Sequence, residues 1–209
     1  MTRKNLVRAA LAVLTACVAL AGCSSNSGGH DMGGMSGTTS STGAAAAPAG
    51  DQNYADIKFA QQMIPHHASA IEMAKLAQGR TSNSKVLDLA SRIEKAQDPE
   101  IKTMTEWLKA WGADGPTTGM SDMPGMNHGT SMPGMMTPQE MTSLQQAKDA
   151  TFDRMFLEMM IKHHQGAVDM ANTELQQGKN ADAKKLAQAI ITAQQAEITE
   201  MQGLLTAGG

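Results

Sequence analysis

Apolar residues recur along most of the chain at steps of three and four residues, the spacing of one face of an α-helix. The pattern predicts four helices, over about 51–78, 84–111, 138–177 and 182–205. Their inward stripes are Phe59, Met63, His66, Ala70 and Met73; then Val86, Ala90, Ile93, Gln97, Ile101, Met104 and Leu108; then Phe152, Phe156, Met159, Met160, His163, Ala167 and Met170; then Leu186, Ile190, Gln194, Ile198, Met201 and Leu205. The predicted fold class is therefore all-α.

Local signals refine the ends and interiors of these helices. Thr137, Pro138 and Glu140 match an N-cap, a first-turn proline and the third position of a capping box, so the third helix is expected to begin there. Pro65 and Pro99 fall inside predicted helices. Because proline removes a backbone donor, we expect a kink at the first and a bend or break just before the second.

The third helix repeats the first at an offset of 97 residues. Both copies contain Phe, Met-Ile, His-His and Met-Ala in the same register. The offset continues in the second and fourth helices, pairing Leu89 with Leu186, Ile93 with Ile190, Gln97 with Gln194, Glu100 with Glu197, Ile101 with Ile198, Met104 with Met201, and Leu108 with Leu205. Each repeat, 54–111 and 138–205, is thus a helix hairpin that cannot bury its apolar stripe alone. Two hairpins predict a four-helix bundle over 51–209 with a long central connection.

The repeated segment carries four of the chain's six histidines, as two adjacent pairs. Neighbouring helix residues point about 100° apart, so each pair is expected to place one ring inward and the other at the margin. His66 and His163 are the better inward candidates because methionines share their faces. The candidate metal ligands are His66, His67, Met63, Met73, His163, His164, Met160 and Met170.

Imidazole and thioether ligands suit a soft monovalent ion, Cu(I) or Ag(I), or copper that cycles between two states. Zinc more usually takes three or four His, Cys or carboxylate ligands. A ferritin-type di-iron site needs Glu-x-x-His, and the residues three before each histidine are Met or Ile. Glu100 and Glu197 are either partners of the rings or surface residues. The alternative for the histidines is a purely structural role as polar core residues bonded to the helices.

Residues 112–137, which join the hairpins, are too rich in Pro and Gly for regular structure. They also hold a run of methionines, which usually fill cores, but a loop has no core to fill. Exposed thioethers oxidise readily, so their number suggests a use in metal binding. The secondary candidate ligands are His128, Met120, Met123, Met126, Met132 and Met135.

Residues 1–22 have the organisation of a bacterial lipoprotein signal peptide, with a basic start, an apolar stretch and a lipobox ending at Cys23. Cleavage before Cys23 would leave it lipidated at the membrane, on the side outside the cytoplasm. Residues 23–50, rich in Ser, Gly, Thr and Ala, are predicted to form a disordered tether. Cys17 would leave with the signal, so any metal site must be built without cysteine.

Composition narrows the function further. The net charge is −3 and Lys and Arg do not cluster on one face, which excludes a typical nucleic-acid-binding protein. Aromatic residues make up 3% of the chain against 18 methionines, so the core is expected to be aliphatic and thioether-rich. No nucleophile set, phosphate-binding glycine loop or zinc-protease motif is present. We therefore expect a binding protein and not an enzyme.

The doubled Met-Ile-x-His-His-x-x-Ala-[Ile/Val]-[Glu/Asp]-Met-Ala segment resembles the domain-of-unknown-function 305 family, and the resemblance extends over about 54–205. It implies a ferritin-like four-helix fold and a secreted or periplasmic protein tied to copper binding and resistance. It also implies metal-site roles for His66, His67, Met73, His163, His164 and Met170. Here Gly166 stands where the first repeat has Ser69, so the two halves need not bind alike.

The sequence as a whole predicts a lipid-anchored protein facing outside the cytoplasm that binds copper, as Cu(I), or silver. It would buffer the ion or hand it to a transfer partner. The alternatives are a ferritin-like metal oxidase and a structural or interaction lipoprotein without metal.

Overall fold

The structure, a computed structural model, describes residues 51–116 and 132–207. It has five helices: α1 (Tyr54–Leu76), α2 (Ser84–Ala110), α3 (Pro138–Gln146), α4 (Asp149–Gln177) and α5 (Ala181–Ala207). All regular secondary structure in these ranges is helical, which confirms the all-α prediction. None of the helices within them combines the length and hydropathy needed to cross a membrane. The predicted signal peptide, tether, Cys23, Met120, Met123, Met126 and His128 lie outside the described residues.

The four long helices form the bundle. α1 packs along α2 and along α4, and α4 packs along α5. The first repeat is therefore the α1–α2 hairpin and the second is the α4–α5 hairpin. Their contact along α1 and α4 brings the two histidine-bearing helices together.

The prediction of one helix over 138–177 is wrong, because the chain breaks between α3 and α4. Ala147 and Lys148 are extended, and Asp149 has a φ of 51° in the left-handed region. Aspartate is among the few residues besides glycine that enter this region readily. The Asp149 backbone N–H donates to the carbonyl of Arg80 in the α1–α2 loop at 2.6 Å. A contact with the other hairpin thus accompanies a break for which local sequence gives no proline or glycine signal.

The capping box of Thr137 and Glu140 at the start of α3 is confirmed.

The two interior prolines lie within helices that continue on both sides of them. α1 runs through Pro65 and α2 runs through Pro99, so of the bend or break expected before Pro99 the break does not occur. An interior proline costs about 3 kcal/mol through its lost hydrogen bond and steric clash. Ile93 and Met104, buried on either side of Pro99, pack in the core and offset that cost.

The core consists of two apolar clusters, one toward each end of the bundle. The first contains Phe59, Ala60, Met63, Ile64, Met104, Trp107, Leu108, Ala167, Val168, Met170, Ala171, Ala183, Ala187, Ile190 and Ile191. The second contains Ala70, Met73, Ala74, Ala77, Val86, Leu89, Ala90, Ile93, Leu144, Phe152, Phe156, Leu157, Met159, Met160 and Met201. The start of α1 shares a cluster with the end of α4, so these helices run antiparallel. The histidine pairs fall between the two clusters in both helices.

Two aspartates at equivalent repeat positions tie each hairpin to the loop of the other. The fully buried Asp56 accepts the backbone N–H of Lys179 and of Asn180 at 3.0 and 2.9 Å. Its counterpart Asp153 accepts the side-chain N–H of Asn83 at 2.9 Å. These contacts fix the ends of the antiparallel α1–α4 pair, and therefore the level at which the histidines meet.

Asp56 has a second carboxyl group beside it, that of Glu174, which is 1% exposed. Burial, together with the neighbouring Asp56 carboxyl, raises the pKa of Glu174 to about 8. Burial opposes ionisation of Asp56 as well, but backbone N–H donors, first that of Asn53, hold its pKa below the ordinary value. At neutral pH the protonated form is therefore favoured for Glu174, and the ionised form for Asp56.

We expect replacement of Glu174 by Gln to remove a pH-dependent loss of stability. Between pH 4.5 and about 8 the unfolded chain releases a proton that folded Glu174 keeps, so the free energy of unfolding falls as pH rises through this window. Urea unfolding at pH 5 and pH 8 should give a smaller loss for Glu174→Gln than for the wild type. Glu106→Gln, the same change at an exposed position, is the control. An identical loss in the wild type and Glu174→Gln would contradict the assignment.

Candidate metal centre

The four histidines of the repeated motif are all buried at the middle of the bundle, with exposures of 0% for His66, His67 and His164 and 1% for His163. The rings of His66 and His163 face each other between α1 and α4, with centroids 3.8 Å apart and planes tilted by 49°. The sequence prediction that these two rings point inward is confirmed.

The expectation that His67 and His164 lie at the margin is wrong. The 100° step between neighbouring residues does separate the two rings of each pair, but the second ring turns toward the other helix of its own hairpin. His67 meets Glu100 of α2, and His164 meets Glu197 of α5. In a bundle both directions are covered by a neighbouring helix, so both rings are buried.

The outward nitrogen of three rings has an oxygen acceptor. His67 Nε2 lies 2.7 Å from Glu100 Oε2, and His164 Nε2 lies 2.7 Å from Glu197 Oε2. An ionised carboxylate can only accept, so in both pairs Nε2–H is the donor. In a neutral ring this arrangement leaves the lone pair on Nδ1. The same contact thus recurs in both repeats. From sequence, Glu100 and Glu197 were either partners of the rings or surface residues, and the structure shows them as partners of the rings.

His66 obtains its acceptor from the connection between the hairpins. Its Nε2–H donates to the backbone carbonyl of Pro133 at 3.0 Å. A carbonyl cannot donate, so the neutral His66 ring carries its proton on Nε2 and its lone pair on Nδ1. Among the described residues His163 is different, because neither of its ring nitrogens has a hydrogen-bond partner.

Nδ1 of each of the four histidines is buried without a hydrogen-bond partner in the described part of the chain. An unsatisfied buried polar group costs about 1–3 kcal/mol, so four in one layer make this layer the candidate ligand site. Burial, and next the neighbouring His67, lowers the pKa of His66 to about 3. Burial and the adjacent imidazoles, first His66, lower the pKa of His163 well below its ordinary value. These two rings are neutral at physiological pH, which is the form that binds metals.

Thioethers flank the histidine layer on both sides. Met63 and Met170 belong to the first core cluster, and Met73 and Met160 belong to the second. Met63, Met73 and Met160 are fully buried, and Met170 is 8% exposed. Because α1 and α4 are antiparallel, each side of the layer receives one methionine from each repeat, whereas sequence grouped each histidine with the methionines of its own helix.

The end of the Met-rich connection lies against α4 beside the histidines. Met132 and Met135 are partly buried and flank Pro133 and Gly134, whose backbone touches the helix. Met136 packs against the second core cluster. Of the secondary candidates predicted from sequence, Met132 and Met135 are thus brought to the level of the centre, and the others lie outside the described residues.

Several polar groups near this layer were not among the predicted site residues, although the sequence pattern placed two of them, Gln97 and Gln194, on the inward stripes. Gln97 and Gln194, one turn before the two glutamates, are 3% exposed and have side-chain atoms without partners. Their signal was present, since both amides sit in the apolar stripe and recur at the repeat offset. The Pro133 carbonyl had no signal, because a main-chain acceptor depends on tertiary structure alone. Within 51–116 and 132–207, no three His, Cys, Asp or Glu side chains converge in a geometry that would hold an ion.

Comparison with known proteins identifies the family. The model of the domain of unknown function 305 (DUF305) matches residues 56–205. The chain belongs to the DUF305 family. No match was found among curated proteins.

Solved structures of DUF305 proteins resemble this one closely. A DUF305 protein from Streptomyces coelicolor is 33% identical, with a TM-score of 0.67 over 74% of this chain and 94% of the other. A DUF305 fragment from Deinococcus radiodurans is 30% identical, with a TM-score of 0.66 over 76% and 99%. CopM in its Cu(I)-bound form is 30% identical, with a TM-score of 0.60 over 74% and 98%. CopM has also been solved with Cu(II) and with silver. The resemblance that the repeated motif suggested is therefore confirmed.

We expect the metal-free protein to lose stability in acid because His66 resists protonation. Between pH 6.5 and about 3, His66 is protonated in the unfolded chain but stays neutral in the folded protein, so the free energy of unfolding falls as pH falls. The slope is about 1.4 kcal/mol per pH unit for each such group. His66→Gln should flatten the dependence in urea unfolding with chelator present. Lys75→Gln, which removes an exposed charge from α1, should not. A His66→Gln slope equal to the wild type would refute the assignment.

Proposed function

We propose that this protein binds copper, as Cu(I), at the layer where the two repeats meet, with silver as an alternative ion. The observation that carries the proposal is the set of four buried Nδ1 atoms without partners, three of them on rings whose Nε2 is hydrogen-bonded to an oxygen. Metal-binding histidines commonly donate their other N–H to a carboxylate or backbone carbonyl, which fixes the tautomer and orients the ring. The described contacts of His66, His67 and His164 have that form.

The donors around this layer favour a soft ion. His66, His67, His163 and His164 supply imidazole, and the four flanking methionines supply thioether sulfur. Imidazole with thioether and without thiolate suits Cu(I) or Ag(I) more than Mg²⁺ or Ca²⁺, which prefer oxygen. Support also comes from CopM, which was solved with Cu(I), Cu(II) and silver. The match with this chain covers 95–98% of the length of CopM.

Each group has a distinct role in this proposal. The imidazoles supply Nδ1 donors, and the rings of His66 and His163 lie next to each other between α1 and α4. Glu100 and Glu197 are positioning residues, because they bind the opposite nitrogen of His67 and His164 and keep Nδ1 free. The methionines complete the ligand set and exclude water from both sides of the layer.

The cellular setting that fits this binding role is the outer side of a membrane. Cleavage before Cys23 and lipidation would anchor the chain, and residues 24–50 would act as a flexible tether with a reach of roughly 30 Å. In that position the protein would buffer copper or pass it to a transfer partner. Mass-spectrometric detection of a lipid on Cys23 would test the anchor.

We propose a binding protein and not an enzyme. A metal oxidase built on the same centre is the alternative, and oxygen electrodes distinguish the two. Addition of Cu(I) or Fe(II) in air should give no protein-dependent oxygen consumption. Consumption that disappears in Glu100→Gln and Glu197→Gln variants would instead establish the oxidase.

Cu(I) titration of the protein without residues 1–22, under reducing conditions and against a chromophoric chelator, tests the binding itself. We expect tight binding that is lost when His66, His67, His163 and His164 are changed together to Gln. Lys162→Gln, an exposed change beside the second pair, is the control and should bind normally. Unchanged affinity in a folded quadruple variant would exclude this centre.

The two glutamates provide a finer test. Changing Glu100 and Glu197 to Gln keeps the shape but removes the charged acceptor, and loss of such outer partners commonly weakens metal binding by about 10- to 100-fold. The same titration should detect this decrease, with Glu106→Gln as the control. Full affinity in the double variant would mean that the carboxylates have no positioning role.

A further inference from the structure

The last residues of the Met-rich connection approach α4 so closely that two glycines are required. A Cβ on Gly166 would lie 2.0 Å from the carbonyl oxygen of Pro133 and 2.9 Å from the nitrogen of Gly134. A Cβ on Gly134 would lie 2.6 Å from the carbonyl oxygen of Lys162 and 2.9 Å from that of His163. Gly134 also has a φ of +77°, which side-chain-bearing residues rarely adopt. The contact is thus backbone on backbone.

This contact leads directly to the histidine layer. The Pro133 carbonyl that would collide with a side chain at 166 is the acceptor of the His66 N–H. A glycine in α4, a carbonyl in the connection and a histidine in α1 therefore form one continuous arrangement. The first repeat has Ser69 at the equivalent position, and among the described residues His163 has no corresponding acceptor.

Gly166 is unusual in its own helix. It lies in the interior of the 29-residue α4, where glycine is a weaker helix former than alanine. Helix formation gives no reason for a glycine at this position. The reason is the buried contact with Pro133, which leaves no room for a Cβ atom. A purely structural interpretation would be that Gly166 only lets the connection pack.

We propose that Gly166 is a positioning residue of the centre: it admits the Pro133 carbonyl, which holds His66 in the Nε2–H tautomer with Nδ1 as the donor. The end of the connection, residues 132–135, is then a built part of the site, and Met132 and Met135 lie beside α4. The two repeats are consequently inequivalent. Nε2 of His66 is bound by a backbone carbonyl, whereas either ring nitrogen of His163 can accept an ion or another ligand. The metal-related part of this inference rests on the proposed function.

Two substitutions on different segments probe the same contact. Gly166→Ala adds a methyl group on α4, and Gly134→Ala adds one on the connection. Both should displace the Pro133 carbonyl. Ser69→Ala, at the equivalent position of the first repeat, is the matched control. If Gly166 only lets the connection pack, Gly166→Ala should lower the stability of the protein because of the clash with Pro133, but His66 should keep its Nε2–H tautomer and Cu(I) affinity should not change.

The decisive measurement is the tautomer of His66 in the metal-free protein, from long-range ¹H–¹⁵N correlation spectra. The wild type and Ser69→Ala should give the Nε2–H form, and both glycine variants should give a mixture of tautomers. A His66 Nδ1–H form in the wild type would overturn the proposal even if a variant failed to fold. Retention of the Nε2–H form in both glycine variants would also overturn it.

Cu(I) titration then tests the link to metal binding. Both glycine variants should bind about 10- to 100-fold more weakly than the wild type, as for loss of an outer partner of a ligating histidine. Ser69→Ala should bind normally. If the tautomer changes as expected but the wild type binds no Cu(I), positioning of His66 stands and the proposed function fails. If the wild type binds tightly and both variants bind equally well, the link between Gly166 and the metal fails.

Discussion

His66 and His163 meet ring to ring across the α1–α4 contact, and this polar contact inside an apolar bundle constrains much of the surrounding structure. A buried imidazole N–H needs an oxygen acceptor, because the loss of its hydrogen bond to water is otherwise uncompensated. In this layer three of the four rings find their oxygen acceptor outside their own helix. These acceptors are carboxylates on α2 and α5 for the second ring of each pair, and a loop carbonyl for His66. The histidine layer thereby links all four long helices and the connection between the hairpins.

Duplication explains the symmetric part of this arrangement, and the connection explains the rest. The histidine–glutamate contacts have the same length and the same sequence separation in both repeats. Asp56 and Asp153 are also equivalent in the two repeats, and each accepts a hydrogen bond from the loop of the other hairpin. A connection joins the repeats only once, however, so whatever it contributes cannot be doubled. Gly166 in place of Ser69 is the point in sequence where this asymmetry enters.

Sequence predicted the features that depend on local patterns. The helical spacing, the capping box at Thr137 and the repeat offset were sufficient for the bundle and for the inward direction of His66 and His163. Burial of His67 was not predictable from a single helix, because the face that looked marginal is covered by α2. The break before Asp149 lies in a segment without a helix-breaking residue and coincides with a backbone contact to the other hairpin. The contact between His66 and the Pro133 carbonyl was also unpredictable from local sequence, since a backbone acceptor can belong to any residue type.

The distribution of donors also bears on why the centre is assembled at the middle of the bundle. An apolar cluster on each side lowers the effective dielectric constant around the rings, which disfavours imidazolium and keeps His66 and His163 neutral. A neutral ring with a fixed Nε2–H presents a lone pair that loses little orientational entropy when an ion arrives. The same surroundings penalise water in the layer, so the unpartnered Nδ1 atoms cost the folded bundle free energy. Under the proposed function, binding of a soft ion would remove that cost, and the stability of the folded bundle would be coupled to its affinity for metal.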